Sequence, residues 1–399
     1  MKRGFTAVLI FMLLSLCGCA YEEYVLRRSA ELHRESPLGV VPETKERTED
    51  GKMVSDKEQI YSYDMLVRDL EELTGAYPGI LTSEAVGKSV DGRDIYRVTL
   101  GDPKAPKRIF VDAAIHGREY ITSQFVMNMI EHYASEYNNM RYNNIPLSEL
   151  FGEVCIDIIP MANPDGVTIS QYGEEGIRNE ELRKTLRDCY ERDKEYLVCL
   201  KDDLGFMYWA DNYRLEGFDR AFLPPESSAV IGYEDYLTIW KSNANGVDIN
   251  QNFDAGWEDA DYKTYPSFGQ SKGESYASEP ETQLLIRESK KHDYVCYLNY
   301  HSRGQILYYD SYGIKDEVLS ESYKLALKLS EFNGYIPFST KAHDADRAGF
   351  GDYVHVVLEK PGVTIEMGRA PSPVPVSELK GILEKNLESW AYLAYKYSR

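Results

Sequence analysis

Positive charge is scarce in this sequence. Its 45 Lys and Arg stand against 65 Asp and Glu, a formal net charge of −20 over 399 residues. Nothing in it forms a basic patch able to displace counterions from a phosphate backbone, which argues against a nucleic-acid partner. A membrane-spanning run is also missing, because the apolar stretch from Phe5 to Leu16 is too short for a stable anchor. Cysteine is sparse, six in all. Cys155 and Cys296 fall in expected core strands, as packing residues or a bridge. Cys189 and Cys199 could close a small loop in an oxidising compartment. Neither pairing follows from spacing alone.

What is present is apolar content enough for a core. At 43% hydrophobic residues the chain fits one large α/β domain with a tail. The 32 tyrosines fit ordinary packing better than a special binding role. Met1-Lys-Arg-Gly and the apolar run have the form of a secretory signal. Leu16-Cys-Gly-Cys19 resembles a bacterial lipobox. Residues 1–18 are therefore expected to be a lipoprotein signal peptide, with Cys19 lipidated. Residues 19–57, polar and charged, read as a linker. The enzyme-sized remainder, 58–399, is the expected folded domain, held outside the cytoplasm on a membrane surface through one acylated cysteine.

Within that domain, Tyr63 to Leu73 carries Leu66, Leu70 and Leu73 at helical spacing. Strands are expected at 84–93 (with a turn at Asp91-Gly92), 94–100, 108–114, 154–159, 295–300 and 360–366, and helices at 122–133, 321–332 and from 376. Strands alternating with helices imply a mixed, largely parallel twisted sheet with helices on both faces. The segment from about 177 to 236 is charged and reads as an excursion at the cleft rim, helical at first. His116 and Glu119 sit at a strand-to-helix corner, three residues apart, where an imidazole and a carboxylate can converge on a cation. His301, at the end of a further strand, would complete a three-ligand zinc site. Glu366 adds an acidic group near another strand end.

These pieces resemble the zinc metallocarboxypeptidase family, the funnelins. The matching motifs are Gly87-Lys-Ser-Val-Asp-Gly-Arg93, His116-x-x-Glu119, Asn163-Pro-Asp-Gly166, Gly246-Val-Asp-Ile-Asn-x-Asn-Phe253, Tyr300-His-Ser302, Thr364-Ile-Glu366 and Pro373-Val-Pro375, in the family's order across about residues 60–399. The resemblance implies one Zn²⁺ per chain held by His116, Glu119 and His301, with one position open for water. It implies that Asp248 orients the first ligand histidine and that Glu366 is the general base. It places Arg118 and Asn250 among substrate-binding residues, and Lys241 near the cation that stabilises developing negative charge.

Two departures bear on substrate. Where exopeptidases of the family follow the first Asn of the motif with Arg, this chain has Gln251, and a neutral amide cannot pair with a carboxylate as Arg does. The segment that normally presents a cleft tyrosine reads His343-Asp-Ala-Asp-Arg-Ala348. Tyr300-His-Ser-Arg303, Trp240-Lys-x-Asn243 and the final Pro-x-Pro are similar to the bacterial branch that cuts γ-D-glutamyl–diamino acid bonds of peptidoglycan stem peptides. Arg303 and Arg347 could supply the missing cation. No separate wall-binding repeat is visible. Two other functions are carried forward. One is a carboxypeptidase of ordinary peptides; the other is an inactive protein that only binds wall peptides.

Overall fold

Side chains alternate across a pleated strand, and the strands Lys107–Ala113, Val154–Ile159 and Cys296–Ser302 bury side chains on both faces. The computed structural model describes residues 51–201, 207–211, 230–340 and 347–399. The expected signal peptide, Cys19 and most of the linker lie outside the described residues. In chain order the elements are α1 (Tyr63–Ala76), β1 (Leu81–Lys88), β2 (Asp94–Leu100), β3 (Lys107–Ala113), α2 (Ile121–Ser135), β4 (Arg141–Tyr142), β5 (Ile145–Pro146), α3 (Leu147–Glu153) and β6 (Val154–Ile159). There follow α4 (Pro164–Tyr172), α5 (Glu180–Asp193), β7 (Leu197–Lys201), β8 (Met207–Asp211), α6 (Tyr233–Thr238) and α7 (Pro280–Ser289). The last are β9 (Cys296–Ser302), β10 (Ile306–Tyr308), α8 (Asp316–Asn333), β11 (Ile336–Phe338), β12 (Gly362–Met367), α9 (Leu379–Asn386) and α10 (Ser389–Tyr397).

Eight strands form one sheet in the order β1-β2-β6-β3-β9-β12-β10-β11. Its centre, β6-β3-β9-β12, is parallel throughout. The outer pairs β1-β2, β2-β6 and β10-β12 are antiparallel, and β10-β11 is parallel. Along β3, Ile109 and Val111 join the larger core with α1, α2, α3, α8, α9 and α10 residues, whereas Phe110 faces a second core with Leu284 and Leu285 of α7. Helices therefore cover both faces, which suits strands buried on both sides.

The long excursion has a core of its own. Leu182, Leu186 and Cys189 of α5 pack with Leu197, Tyr236, Leu237, Trp240 and Phe268. It opens with a helix, as expected, and adds the β7-β8 hairpin that periodicity did not reveal. A buried polar network fastens it to the domain. Asp193 accepts from Tyr236, Ser267 and the Phe268 N–H, while Lys263 bonds Ser267 at 2.9 Å and Asp211 at 2.6 Å.

One expectation is corrected, and one open alternative is decided. Residues 51–57 do not behave as linker: Val54 is buried, and the N–H groups of Met53 and Val54 donate to Glu131 of α2 at 2.7 and 2.9 Å. The cysteine bridges are absent. Cys155, Cys189, Cys199 and Cys296 are all buried thiols. Cys155 pairs across to Arg108 and Cys296 to Ile109 on opposite sides of β3. That puts the two about 9–10 Å apart, two strand spacings, beyond disulfide reach.

One buried acid supports the loop before the site. Asn243 donates to Glu279 at 2.7 Å and to Glu281 at 3.0 Å, and the Val90 N–H donates to Glu281 at 3.0 Å. Burial first, and then the Asp165 charge, push the Glu281 carboxyl up from 4.5 to about 8. Between those values the folded state holds a proton that the unfolded state releases, so stability falls as pH rises through that window. The fall in Tm between about pH 5 and about pH 8 should be smaller in Glu281→Gln than in the wild type, whatever the variant's absolute Tm. Equal falls in the two melting series would contradict this.

Candidate metal centre

The C-terminal ends of the parallel strands converge, and the site is built there, as is usual for open α/β sheets. At the end of β3, Ala114 adopts a left-handed φ of 50°, turning the chain sharply into the 3₁₀ turn Gly117–Glu119. The corner is held on three sides. The Ala114 N–H donates to Thr122 Oγ1 at 2.8 Å, and that hydroxyl donates to the Glu119 carbonyl at 2.8 Å. The Gly117 and Arg118 N–H groups donate to the Lys241 and Trp240 carbonyls at 3.0 and 2.8 Å. Asn163 Nδ2 donates to Ile115 and Ser242 carbonyls, both at 3.1 Å.

Glycine is required where these loops meet. A Cβ on Gly117 would lie 2.3 Å from the Gly166 carbonyl oxygen, and one on Gly166 would lie 2.5 Å from the Ser242 carbonyl oxygen. The Asn163-Pro-Asp-Gly166 stretch is thus a spacer of minimal thickness. Its Asp165 is pinned in turn by Ser89 at 2.8 Å, the Asp91 N–H at 2.7 Å and Arg93 at 2.8 Å, which gives the Ser89–Arg93 turn its role.

The result brings together two imidazoles and a carboxylate. Nδ1 of His116 lies 2.9 Å from Glu119 Oε1, and Nδ1 of His301 lies 3.1 Å from Glu119 Oε2. The two Nδ1 atoms are 3.2 Å apart. All three residues are buried, and among the described residues they are the one group of His, Cys, Asp or Glu side chains whose donor atoms could hold a metal together. Converging nitrogen lone pairs at that distance repel unless a proton or cation lies between them. Two histidines and one carboxylate are the donor set of a catalytic zinc site with an open position, so the residues fit the ion. The Ser302 N–H fixes Glu119 Oε2 at 3.1 Å. Behind His116, its Nε2 faces Asp248 Oδ1 at 3.2 Å, the carboxylate–histidine pairing that fixes a ligand tautomer. Asp248 is itself anchored by the Gln270 N–H at 3.0 Å.

The charges at the site diverge. Burial raises the Glu119 carboxyl, but His116 and His301 override it and hold it well below the usual carboxylate range. Burial raises Glu366 to about 7, with the Glu119 charge adding and His301 opposing. Glu366 is the register neighbour of His301 on adjacent parallel strands. For Asp248, burial is outweighed by Lys241 and His116, and its pKa is lowered.

A cleft of about 580 Å³ opens beside this group. Its wall includes His116, His301 and Glu366, with Lys241, Asn250, Gln251 and Arg347. Lys241 Nζ lies 3.7 Å from Asp248 Oδ2. Asn250 Oδ1 accepts from the Phe350 N–H at 2.9 Å. With its amide oriented to match the surrounding acceptors, the Gln251 nitrogen donates to the Arg347 carbonyl at 2.9 Å and to Tyr262 at 3.1 Å. Arg118 and Arg303 are not on this wall. The Arg118 side chain is half-buried, and burial lowers its guanidinium pKa. The Arg303 guanidinium lies 5.5 Å from the ring centroid of Tyr208 on β8. His343 to Asp346 lie outside the described residues.

Sequence reading missed Thr364, Asp310 and His355, which also face the cleft. Thr364 was legible, being two residues before Glu366 on one strand and so on the same face. Asp310 and His355 carried no signal. They come from a loop after β10 and from the helical turn 353–357, which meet only in the fold.

Replacing Asp248 by Ala removes the partner of His116 Nε2. Zinc affinity should then fall about 10- to 100-fold, measured by chelator competition with the folded protein. Unchanged affinity would mean that Asp248 acts only in packing.

The zinc carboxypeptidase family model matches residues 66–331, two thirds of the chain. Glu366 lies beyond that stretch. The chain is 26% identical over 333 residues to gamma-D-glutamyl-L-diamino acid endopeptidase 1 of Lysinibacillus sphaericus, covering 83% of this chain and 71% of the relative. It is 25% identical over 333 residues to the uncharacterised protein YqgT of Bacillus subtilis, covering 82% and 75%. Among solved structures, carboxypeptidase A of Helicoverpa armigera superposes with a TM-score of 0.59 at 17% identity, over 94% of this chain and 81% of that one. Thrombin-activatable fibrinolysis inhibitor gives 0.61 at 15% identity, over 88% and 79%. Family match, sheet order and donor set agree, and the chain belongs to the zinc carboxypeptidase family.

Proposed function

We propose that this zinc peptidase hydrolyses γ-D-glutamyl–diamino acid bonds in peptidoglycan stem peptides. The observation that carries the substrate reading is the similarity across 83% of the chain to a relative named for that bond. The neutral Gln251, whose amide is turned onto the Arg347 carbonyl, supports a departure from plain C-terminal trimming. An expected signal peptide on residues 1–18 and a lipidated Cys19 fit the same reading, because they would tether the enzyme outside the cytoplasm beside the wall.

His116, Glu119 and His301 would hold the ion, and Asp248 would keep His116 in the tautomer whose Nδ1 is the ligand atom. Bound there, zinc supplies a Lewis acid that acidifies water and polarises the scissile carbonyl. Glu366 takes the proton of the attacking water and returns it to the leaving nitrogen. Its carboxyl, raised to about 7 by burial, suits a group that both accepts and donates near neutrality. Lys241, on the cleft wall and 3.7 Å from Asp248, is placed to offset negative charge developing on the carbonyl oxygen. Asn250 holds the 350 turn that closes the cleft.

The test is mass-spectrometric product mapping on muropeptides carrying diaminopimelate or lysine, beside an ordinary peptide ladder. Cleavage at the γ-D-glutamyl bond is expected, and Glu366→Gln should lower kcat by about 10²- to 10⁴-fold while zinc content stays the same. Stepwise release of C-terminal residues instead would make the chain a carboxypeptidase of ordinary peptides. Zinc binding without cleavage of either set would leave only a wall-peptide-binding role.

A further inference from the structure

We infer that Asp310 is a specificity-determining residue that pairs with the distal ammonium group of a diamino acid in the bound peptide. The inference rests on the peptide-cleft reading above and names the part of the substrate that this wall selects. Asp310 follows β10, lines the cleft and is 5% exposed. Uncharged donors hold its carboxylate in place. Oδ1 accepts from the Thr340 N–H at 2.6 Å and, at 3.1 Å, from a Thr340 hydroxyl shared with the Asp310 carbonyl. Oδ2 accepts from the Ser339 hydroxyl. Two carboxylate oxygens offer about four acceptor positions, so Oδ2 retains room for a further donor.

What this carboxylate lacks is a counter-charge. Among the described residues it has no ion pair with a lysine or arginine. Lys241 faces Asp248 at 3.7 Å and Arg347 faces Asp259 at 3.5 Å. The neighbouring imidazole of His355 does not supply one either. Burial lowers it to about 4, against the pull of the Gly362 carbonyl and of Asp310 itself, and its nitrogens face Ser311 Oγ at 2.9 Å and the Gly362 carbonyl at 3.1 Å. A buried charge is costly unless paired, and a bound ammonium would relieve that cost. The spacing suits a long side chain. In the antiparallel pair β10-β12, Ile306 lies opposite Glu366 and Tyr308 opposite Thr364. Asp310 is four residues along from the Glu366 level, at most about 13 Å at strand rise. A lysine-type side chain spans roughly 6 Å from Cα to its distal nitrogen, and the Glu366 and Asp310 side chains reach in from either end. Tyr308 and Phe338, edge to face at 5.8 Å on the same wall, offer apolar surface to its methylene stem.

The test measures binding by calorimetry in zinc-loaded Glu366→Gln protein, so that the readout does not depend on turnover. The ligands are γ-D-glutamyl-lysine and γ-D-glutamyl-norleucine, which lacks only the distal amine, beside an ordinary peptide ending in lysine or norleucine. Loss of the amine should weaken binding about 10- to 100-fold. Asp310→Asn should abolish that ratio while norleucine binding stays the same, since the amide keeps an acceptor for the Thr340 N–H. Ser339→Ala removes a donor to Asp310 but leaves its charge, and should keep the ratio. The inference is wrong if lysine and norleucine ligands bind alike in both series, or if no ligand binds. It is also wrong if the ratio survives Asp310→Asn, if that variant weakens both ligands equally, or if Ser339→Ala loses the ratio as fully. A ratio found only with the ordinary peptides would support the role of Asp310 and count against the wall-peptide reading, which the product mapping decides separately.

Discussion

Everything at the active centre depends on three backbones approaching within contact of one another. Gly117 lies against Gly166, and Gly166 against the Ser242 carbonyl. That contact places the turn after β3, the turn after β6 and the loop following the excursion in one stack. His116 and Glu119 come from the first, and Lys241 and Asp248 from the third. Protein interiors are packed too densely to absorb a misplaced methyl group between backbones. Two glycines far apart in the chain therefore set the distance between the metal ligands and the groups that support them.

Electrostatics then divides labour among carboxylates in one buried volume. Glu119 has two imidazoles and a backbone N–H against it and stays ionised. Glu366 sits one strand further along, buried, with the Glu119 charge near it, and its proton is held more tightly. Environments that push neighbouring carboxyl groups apart in pKa are what the proposed mechanism requires of a fixed ligand and a mobile proton carrier. Burial produces this contrast, and the parallel register of β9 and β12, which pairs His301 with Glu366, opposes it in part.

The cleft wall departs from the family's exopeptidase pattern in a way that has a structural logic. Where an arginine would project into the cleft, Gln251 hydrogen-bonds the chain that carries Arg347, and Asn250 caps the helical turn that follows it. The excursion meets the chain after β9 through Tyr208 and Arg303. It is fastened by buried charges, Asp193 and Lys263 among them, rather than by apolar area alone.

The sequence by itself determined the elements whose signal is local. Val154–Ile159 and Asp94–Leu100 were legible because short apolar or alternating runs bounded by turn residues have few other ways to bury themselves. The His116–Glu119 corner, His301 and Glu366 were legible because each ends a run that reads as a strand, and parallel strands put such ends on one edge of a sheet. Tertiary structure alone decided that Cys155 and Cys296 sit on opposite sides of β3, and that Val54 packs on α2 through Glu131. It also decided that Arg347, Asp310 and His355 line the cleft together. Those facts depend on which strand lies beside which, and on loops meeting across long stretches of sequence. Neither leaves a periodic trace in the chain, because the partners' spacing in sequence is unrelated to their spacing in the fold.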